Sequence, residues 1–250
     1  MTVQGDVAQN VAVSQSNGAD ITHFQIFGER RSGTNYVHTL LQRNLGAAPC
    51  FHYGWKHGYC TAPAISRNAL IVVVVRDPLD WVLSFYSRQF APAAHLDGLS
   101  FSDFIRAEWD SKARPDRQQW DLFGHRHDRS LRGEVMQLDR HPIEGRRYRN
   151  VLEMRRIKLA AHLGFRHRAG NVAVVRYEDA RRDPASVLTK LAQEFAVPAN
   201  VSWVAVTEQV GPPSAKRKQT RQDIAPEDLD HIRSQLDLHV EAGLGYDVTP

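Results

Sequence analysis

The sequence predicts an α/β protein of 250 residues in which a central parallel sheet is flanked by helices. Three segments carry that prediction. Phe24-Gln25-Ile26-Phe27 runs through a turn from Gly28 to Gly33 into the helical pattern Tyr36-Val37-His38-Thr39-Leu40-Leu41. Ala69 to Val75 is continuous and largely β-branched, as in a strand buried on both faces, and leads into a helix at Pro78. Asn171 to Tyr177 is a third strand, followed by Asp183-Pro184 and a helix over 185–196. Strands alternating with helices argue for parallel pairing through right-handed crossovers.

The first turn reads as a phosphate cradle. A glycine-rich connection between strand and helix presents successive backbone N–H groups at the positive end of the helix dipole, where an anion binds best. The spacing Gly28-x4-Gly33 is similar to a P-loop, yet Thr34 follows the second glycine and the Lys-Ser/Thr pair is missing. Arg30 and Arg31 supply positive charge from inside the loop, which disfavours ordinary ATP hydrolysis. A short strand is expected around 51–56, near Gly54-Trp55-Lys56-His57-Gly58. His57 suits a general base, because an imidazole near its reference pKa of about 6.5 accepts a proton at neutral pH. Arg76 closes the second strand at its carboxyl end, where open α/β sheets bind ligands, and Ser84 follows two helical turns later.

Residues 87–148 are helical and loop-rich and match no recognisable pattern. An amphipathic helix is expected over 149–163. After the strand ending at Tyr177 come the basic run Lys216-Arg217-Lys218, a helix over 226–242 and the ending Gly243-Leu244-Gly245-Tyr246. Residues 1–20 read as a flexible polar N-terminus, leaving 21–250 as a single domain.

Hydrophobic residues make up 42% of the chain and charged residues 24%, an ordinary globular composition. The net charge of +4 and a pI near 9.2 suit an anionic ligand. The basic residues are scattered and form no recognisable nucleic-acid module, so neither nucleic acid nor membrane is expected as a partner. The polar start lacks the pattern of a secretory signal, and Cys50 and Cys60 are too few for a disulfide framework; the expected setting is cytoplasmic, with reduced thiols. His125-Arg126-His127 has only a superficial metal-ligand spacing, and no metal is expected.

These motifs, in this order, resemble the sulfotransferases that use 3′-phosphoadenosine-5′-phosphosulfate (PAPS), over roughly residues 22 to 246. The resemblance implies a P-loop-like three-layer sandwich. It implies that Arg30, Arg31, Ser32, Gly33, Thr34 and Asn35 hold the 5′-phosphosulfate, with Arg31 stabilising the leaving phosphate. Arg76 and Ser84 would grip the 3′-phosphate, Tyr177 would lie near the adenine, and Lys216, Arg217 and Lys218 would close the 3′-phosphate site. His57 takes the place of the base and Lys56 that of a contact to the sulfuryl oxygens, with His52 and Glu29 next in line for the base. The implied reaction transfers the sulfuryl group to a hydroxyl or amine of a small molecule or glycan, releasing the bisphosphate nucleotide PAP. Two other classes compete: a P-loop kinase or NTPase, for which Asp77 would have to serve as the acidic strand end, and a non-catalytic module binding the bisphosphate nucleotide or a polyanion.

Overall fold

The computed structural model describes residues 11–89, 91–114, 129–200, 202–208 and 219–248. Five strands form one sheet: β1 (Val11–Gln15), β2 (His23–Phe27), β3 (Ala48–Pro49), β4 (Ala69–Val75) and β5 (Asn171–Arg176), in the order β1-β5-β4-β2-β3. Four of them run parallel, with Phe27 beside Val73 and Val75 beside Arg176. The sheet is nevertheless mixed, because β1 pairs antiparallel with the outer edge of β5 through a bulge between Val11 and Val13. Residues 11–15, expected in a flexible terminus, are therefore part of the sheet.

The helices are α1 (Thr34–Asn44), α2 (Pro78–Ser87), α3 (Phe101–Arg106), α4 (Val151–Leu163), α5 (Tyr177–Arg182), α6 (Pro184–Glu194), α7 (Pro226–Gln235) and α8 (Leu238–Gly243). All seven residues of β4 are buried, and alternate ones face opposite layers. Leu70, Val72 and Val74 pack with Leu40 and Leu41 of α1 and Leu188 and Leu191 of α6. Ile71, Val73 and Val75 pack with Leu159 of α4, Phe165 and Tyr246. A further core gathers Trp81 and Phe85 of α2, Phe104, Trp109, Met154 and Ile232. Starts of helices are fixed locally: Asp77 caps α2 ahead of Pro78, Asn150 caps α4, and Asp183 caps α6 ahead of Pro184.

Three expectations change in detail. The short strand lies at 48–49 rather than 51–56. Beyond it the chain is held to β2 by the buried Gln25 side chain, which donates to Gly54 O (2.8 Å) and accepts from Tyr53 N (2.8 Å), an amide replacing a ladder. Tyr177 opens α5 instead of ending the strand. The helix expected over 226–242 is two helices, broken after Gln235 and restarted by the Asp237 cap. Among the described residues no helix is long and apolar enough to cross a membrane.

The topology places the site. From β2 the chain moves outward to β3, then crosses back over β2 to β4, so the carboxyl ends of β2 and β4 flank the point where the strand order reverses. That is where open α/β sheets leave a crevice for a ligand.

Candidate functional site

The loop from Gly28 to Gly33 emerges at this reversal. Gly28 has φ +156°, and a Cβ there would lie 2.4 Å from Val74 O, so a glycine lets the loop leave β2 flush against β4. Gly33, φ +94°, stands at the start of α1, and a Cβ would lie 2.0 Å from the Tyr177 ring. Tyr177 thus lies directly against the cradle. No side chain caps α1 and its first turn holds no acid, which leaves the positive helix end for another anion.

Three consecutive charged side chains leave this loop in three directions. Glu29 is buried and bonds Arg155 of α4 (2.9 Å). Arg30 is buried against Asp139 (3.0 Å), with its guanidinium 5.0 Å from the Trp55 ring. Arg31 adopts the left-handed conformation, φ +70°, and its Nε donates to the Ser84 hydroxyl (3.1 Å) and carbonyl (3.2 Å). Ser32 turns its hydroxyl inward onto Glu29 O (2.8 Å). Of the loop side chains expected to hold the donor, Arg30 and Ser32 therefore anchor the loop instead, and Arg31 faces the site.

Arg76 comes to the same place from the end of β4. It donates to Arg31 O (3.0 Å), its guanidinium lies 5.1 Å from the Tyr177 ring, and its Nε is buried without a hydrogen-bond partner. Among the described residues neither Arg31 nor Arg76 has a carboxylate partner. Burial, and after it the charges of Arg76 and Arg88, push the pKa of Arg31 down. A cluster of guanidinium groups that repel one another across a helix N-terminus suits an anion.

The segment after β3 closes the other side. Gly28 N donates to Lys56 O (2.9 Å), and His57 Nδ1 donates to Gly28 O (2.7 Å). That bond fixes the tautomer and leaves Nε2 as the nitrogen with the lone pair. Burial, reinforced by the charge of Lys56, holds His57 well below its ordinary pKa, so the ring is neutral at pH 7. Lys56 Nζ donates to Asn35 Oδ1 in the first turn of α1, and desolvation lowers its pKa to about 8. Thr34, Asn35, Ser84, Tyr177, Lys56 and His57 thus gather around one helix N-terminus. The two alternative bases do not join them. Glu29 is 2% exposed beneath the loop, and His52 lies beside His23 at the amino end of β2, about 13 Å of strand from the cradle.

Lys216, Arg217 and Lys218, and also His125 and His127, lie outside the described residues. Arg221, soon after the basic run, ion-pairs with Asp77 (2.8 Å) and Asp80 (2.9 Å) on the first turn of α2. Asp77 is therefore occupied by capping and by Arg221.

Sequence reasoning missed the charges beneath the loop. Asp139 is fully buried and accepts from Trp109 Nε1 (3.0 Å), Ser111 Oγ (2.6 Å), Arg30 and Lys158. Burial alone would raise its pKa, but Arg30 and Lys158 hold it at about 2. Arg155 joins Glu29, Glu241 of α8 (2.7 Å) and the Arg76 carbonyl (2.9 Å). A signal for the cations existed: helical spacing puts Arg155, Lys158 and His162 on the same inward stripe as Val151.

No protein-family model, curated protein or solved structure matches this chain.

Proposed function

We propose that the chain is a PAPS-dependent sulfotransferase built on a P-loop-like sheet, moving a sulfuryl group to a hydroxyl or amine of a small molecule or glycan. One observation carries this reading: two half-buried guanidinium groups, Arg31 and Arg76, converge at the N-terminus of α1 with no carboxylate partner among the described residues, beside a neutral histidine with a free Nε2 lone pair. The donor supplies an activated sulfuryl group and a nucleotide leaving group. Everything else falls to the chain.

The N–H groups of Gly33, Thr34 and Asn35 and the guanidinium of Arg31 receive the charge that develops on the leaving phosphate. Arg31 neutralises that charge but cannot readily give up a proton. Arg76 and Ser84 take the 3′-phosphate and Tyr177 the adenine; the buried, unpartnered Nε of Arg76 fits such an acceptor. Ser84 Oγ accepts from Arg31 in the free protein and keeps its own O–H to donate to a 3′-phosphate oxygen, so one hydroxyl links the two arginine-bearing ends of the site. His57 Nε2 takes the acceptor proton, and Lys56 lies beside the same helix end for the sulfuryl oxygens.

Calorimetric titration with PAP, 5′-AMP and ATP, followed by PAPS turnover against a panel of hydroxyl and amine acceptors, tests the reading. Tight binding of PAP alone with turnover of some acceptor is expected. Equal affinity for PAP and 5′-AMP would remove the 3′-phosphate assignment, and magnesium-dependent ATP hydrolysis would replace it with the kinase class.

A further inference from the structure

Arg155 sits beneath the cradle as a shared partner. Its Nη1 donates to Glu29 Oε2 (2.9 Å), its Nε and Nη2 to the two oxygens of Glu241 (2.7 and 2.8 Å), and Nη2 also to the carbonyl of Arg76 (2.9 Å). Glu241 uses both its oxygens on this guanidinium. Glu29 uses one, and its Oε1 is buried without a partner. Two carboxylates therefore share one cation in a region closed to water, and the less well bonded of them belongs to the cradle loop.

We propose that Glu29 is a proton-binding site coupled to the anion site, so that seating an anion on the loop draws a proton onto the Glu29 carboxyl. The inference rests on the anion site proposed above, though not on sulfuryl transfer itself. Its physical basis is short-range charge balance. The backbone of Glu29 is tied into the turn, its carbonyl accepting Ser32 N (3.2 Å) and Ser32 Oγ (2.8 Å). An anion on the N–H groups of Gly33 to Asn35 adds negative charge a few residues along the same turn, which favours the neutral form of Glu29. The orphan Oε1 is the oxygen on which the proton would sit.

The charged groups facing Glu29 are Arg155 and Lys158 of α4 and Glu241 of α8, with Tyr246 beside Arg155. Arg30, its chain neighbour, is turned away onto Asp139. Burial raises Glu29 and Glu241 adds to it, while Arg155 and Lys158 oppose; the balance places the group at about 7. Its proton is thus exchanged close to neutrality, where a modest added negative charge raises the occupancy. The sign follows: a group whose proton affinity rises on binding makes the anion bind more tightly as pH falls through its free value, here from about 8 to 6.

The test is isothermal titration with PAP at pH 7.0 in two buffers of different ionisation enthalpy, for the wild type, E29Q and E241Q. Gln at 29 keeps an acceptor for Arg155 and cannot take the proton, so the difference between wild type and E29Q removes the contributions of the ligand phosphates and of Lys56. The wild type is expected to take up roughly a third to a half of a proton more than E29Q. E241Q removes a negative neighbour, lowers the proton affinity of Glu29 and, with the titration repeated from pH 5 to 8, should move the pH of maximal uptake downward while PAP still binds. Inorganic sulfate, which does not titrate in this range, should gain more affinity between pH 8 and pH 6 on the wild type than on E29Q, whose remaining pH dependence is that of Lys56. Equal proton counts in all three proteins, with PAP bound by each, would overturn the coupling and leave the anion site standing. Failure of both PAP and sulfate to bind the wild type would remove the anion site and the coupling with it. Should E29Q fail to fold, E241Q decides: a pH of maximal uptake equal to that of the wild type overturns the inference.

Discussion

Beneath the 28–33 loop, three buried cations, Arg30, Arg155 and Lys158, meet three buried carboxylates, Glu29, Asp139 and Glu241. Above it, Arg31 and Arg76 approach each other with no carboxylate among the described residues. All five cations lie in or against one turn, so sequence position does not separate the two groups. Charge balance does. A buried ion with a counter-ion costs little beyond its desolvation, whereas a half-buried cation beside another cation lowers stability and persists where a ligand supplies the missing charge. The region below holds the loop, and in the proposed reading the region above is where a ligand supplies the missing charge.

His57 stands where the regions meet, since Lys56 on the site and Arg30 and Lys158 beneath all depress its pKa after burial itself. The largest effect is expected here. His57→Gln should reduce turnover by about 100- to 10,000-fold and leave PAP affinity nearly unchanged. The ascending limb of the wild-type pH profile should have its midpoint well below 6.5 and vanish in the variant. Normal turnover in His57→Gln would make this ring a clasp on Gly28 O and nothing more.

Breaking the balanced region should read out as stability. Asp139→Ala leaves Arg30 and Lys158 buried without their counter-ion, and the expected loss is about 3–5 kcal/mol by chemical denaturation. The pH dependence has a defined sign. With a folded pKa of about 2 against an ordinary 3.8, the Asp139 contribution is complete above about pH 4 and is lost as pH falls towards 2. A loss under about 1 kcal/mol would mean that this network does not hold the loop.

Much of the upper region was legible in the sequence. The β-branched run foretold a strand buried on both faces, and all seven residues of β4 are buried. Glycine spacing located the cradle, because a turn this close to Val74 O and Tyr177 needs residues without Cβ. Of the lower region only the inward stripe of Arg155 and Lys158 on α4 could be read from spacing, and the rest was not legible, for reasons that differ. Arg30 and Arg31 are the same residue type side by side, and only the left-handed backbone at Arg31 sends one onto Ser84 and the other onto Asp139. Asp139 lies in the middle of the chain, where loops brought in by tertiary packing leave no period to read. β1 was missed because five residues with a bulge, paired at one edge, carry little pattern. The segment after β3 reads as a strand because its backbone is bonded like one, but to the Gln25 side chain.

In the unbalanced region, Arg31→Ala should lower turnover by about 100- to 1,000-fold while changing PAP affinity far less, since its strongest contact forms as charge develops on the leaving phosphate. Single-turnover kinetics separates the two effects. A variant with normal turnover and a raised KM would make Arg31 a binding residue alone.

Arg76→Ala tests the comparison most directly, although its effect is the smallest of these. The side chain donates to Arg31 O and stands against Tyr177, yet among the described residues no carboxylate depends on it. Removing it costs one hydrogen bond and relieves repulsion on Arg31, so denaturation stability should stay within about 1 kcal/mol of wild type. PAP affinity should fall by about tenfold or more, the value of one charge-assisted contact, while 5′-AMP affinity changes little. The two measurements must diverge, because a cation kept for a ligand loses binding when removed and a cation kept for the fold loses stability. A large loss of stability with PAP binding intact would place Arg76 with Arg30 and Arg155 among the residues that hold the loop.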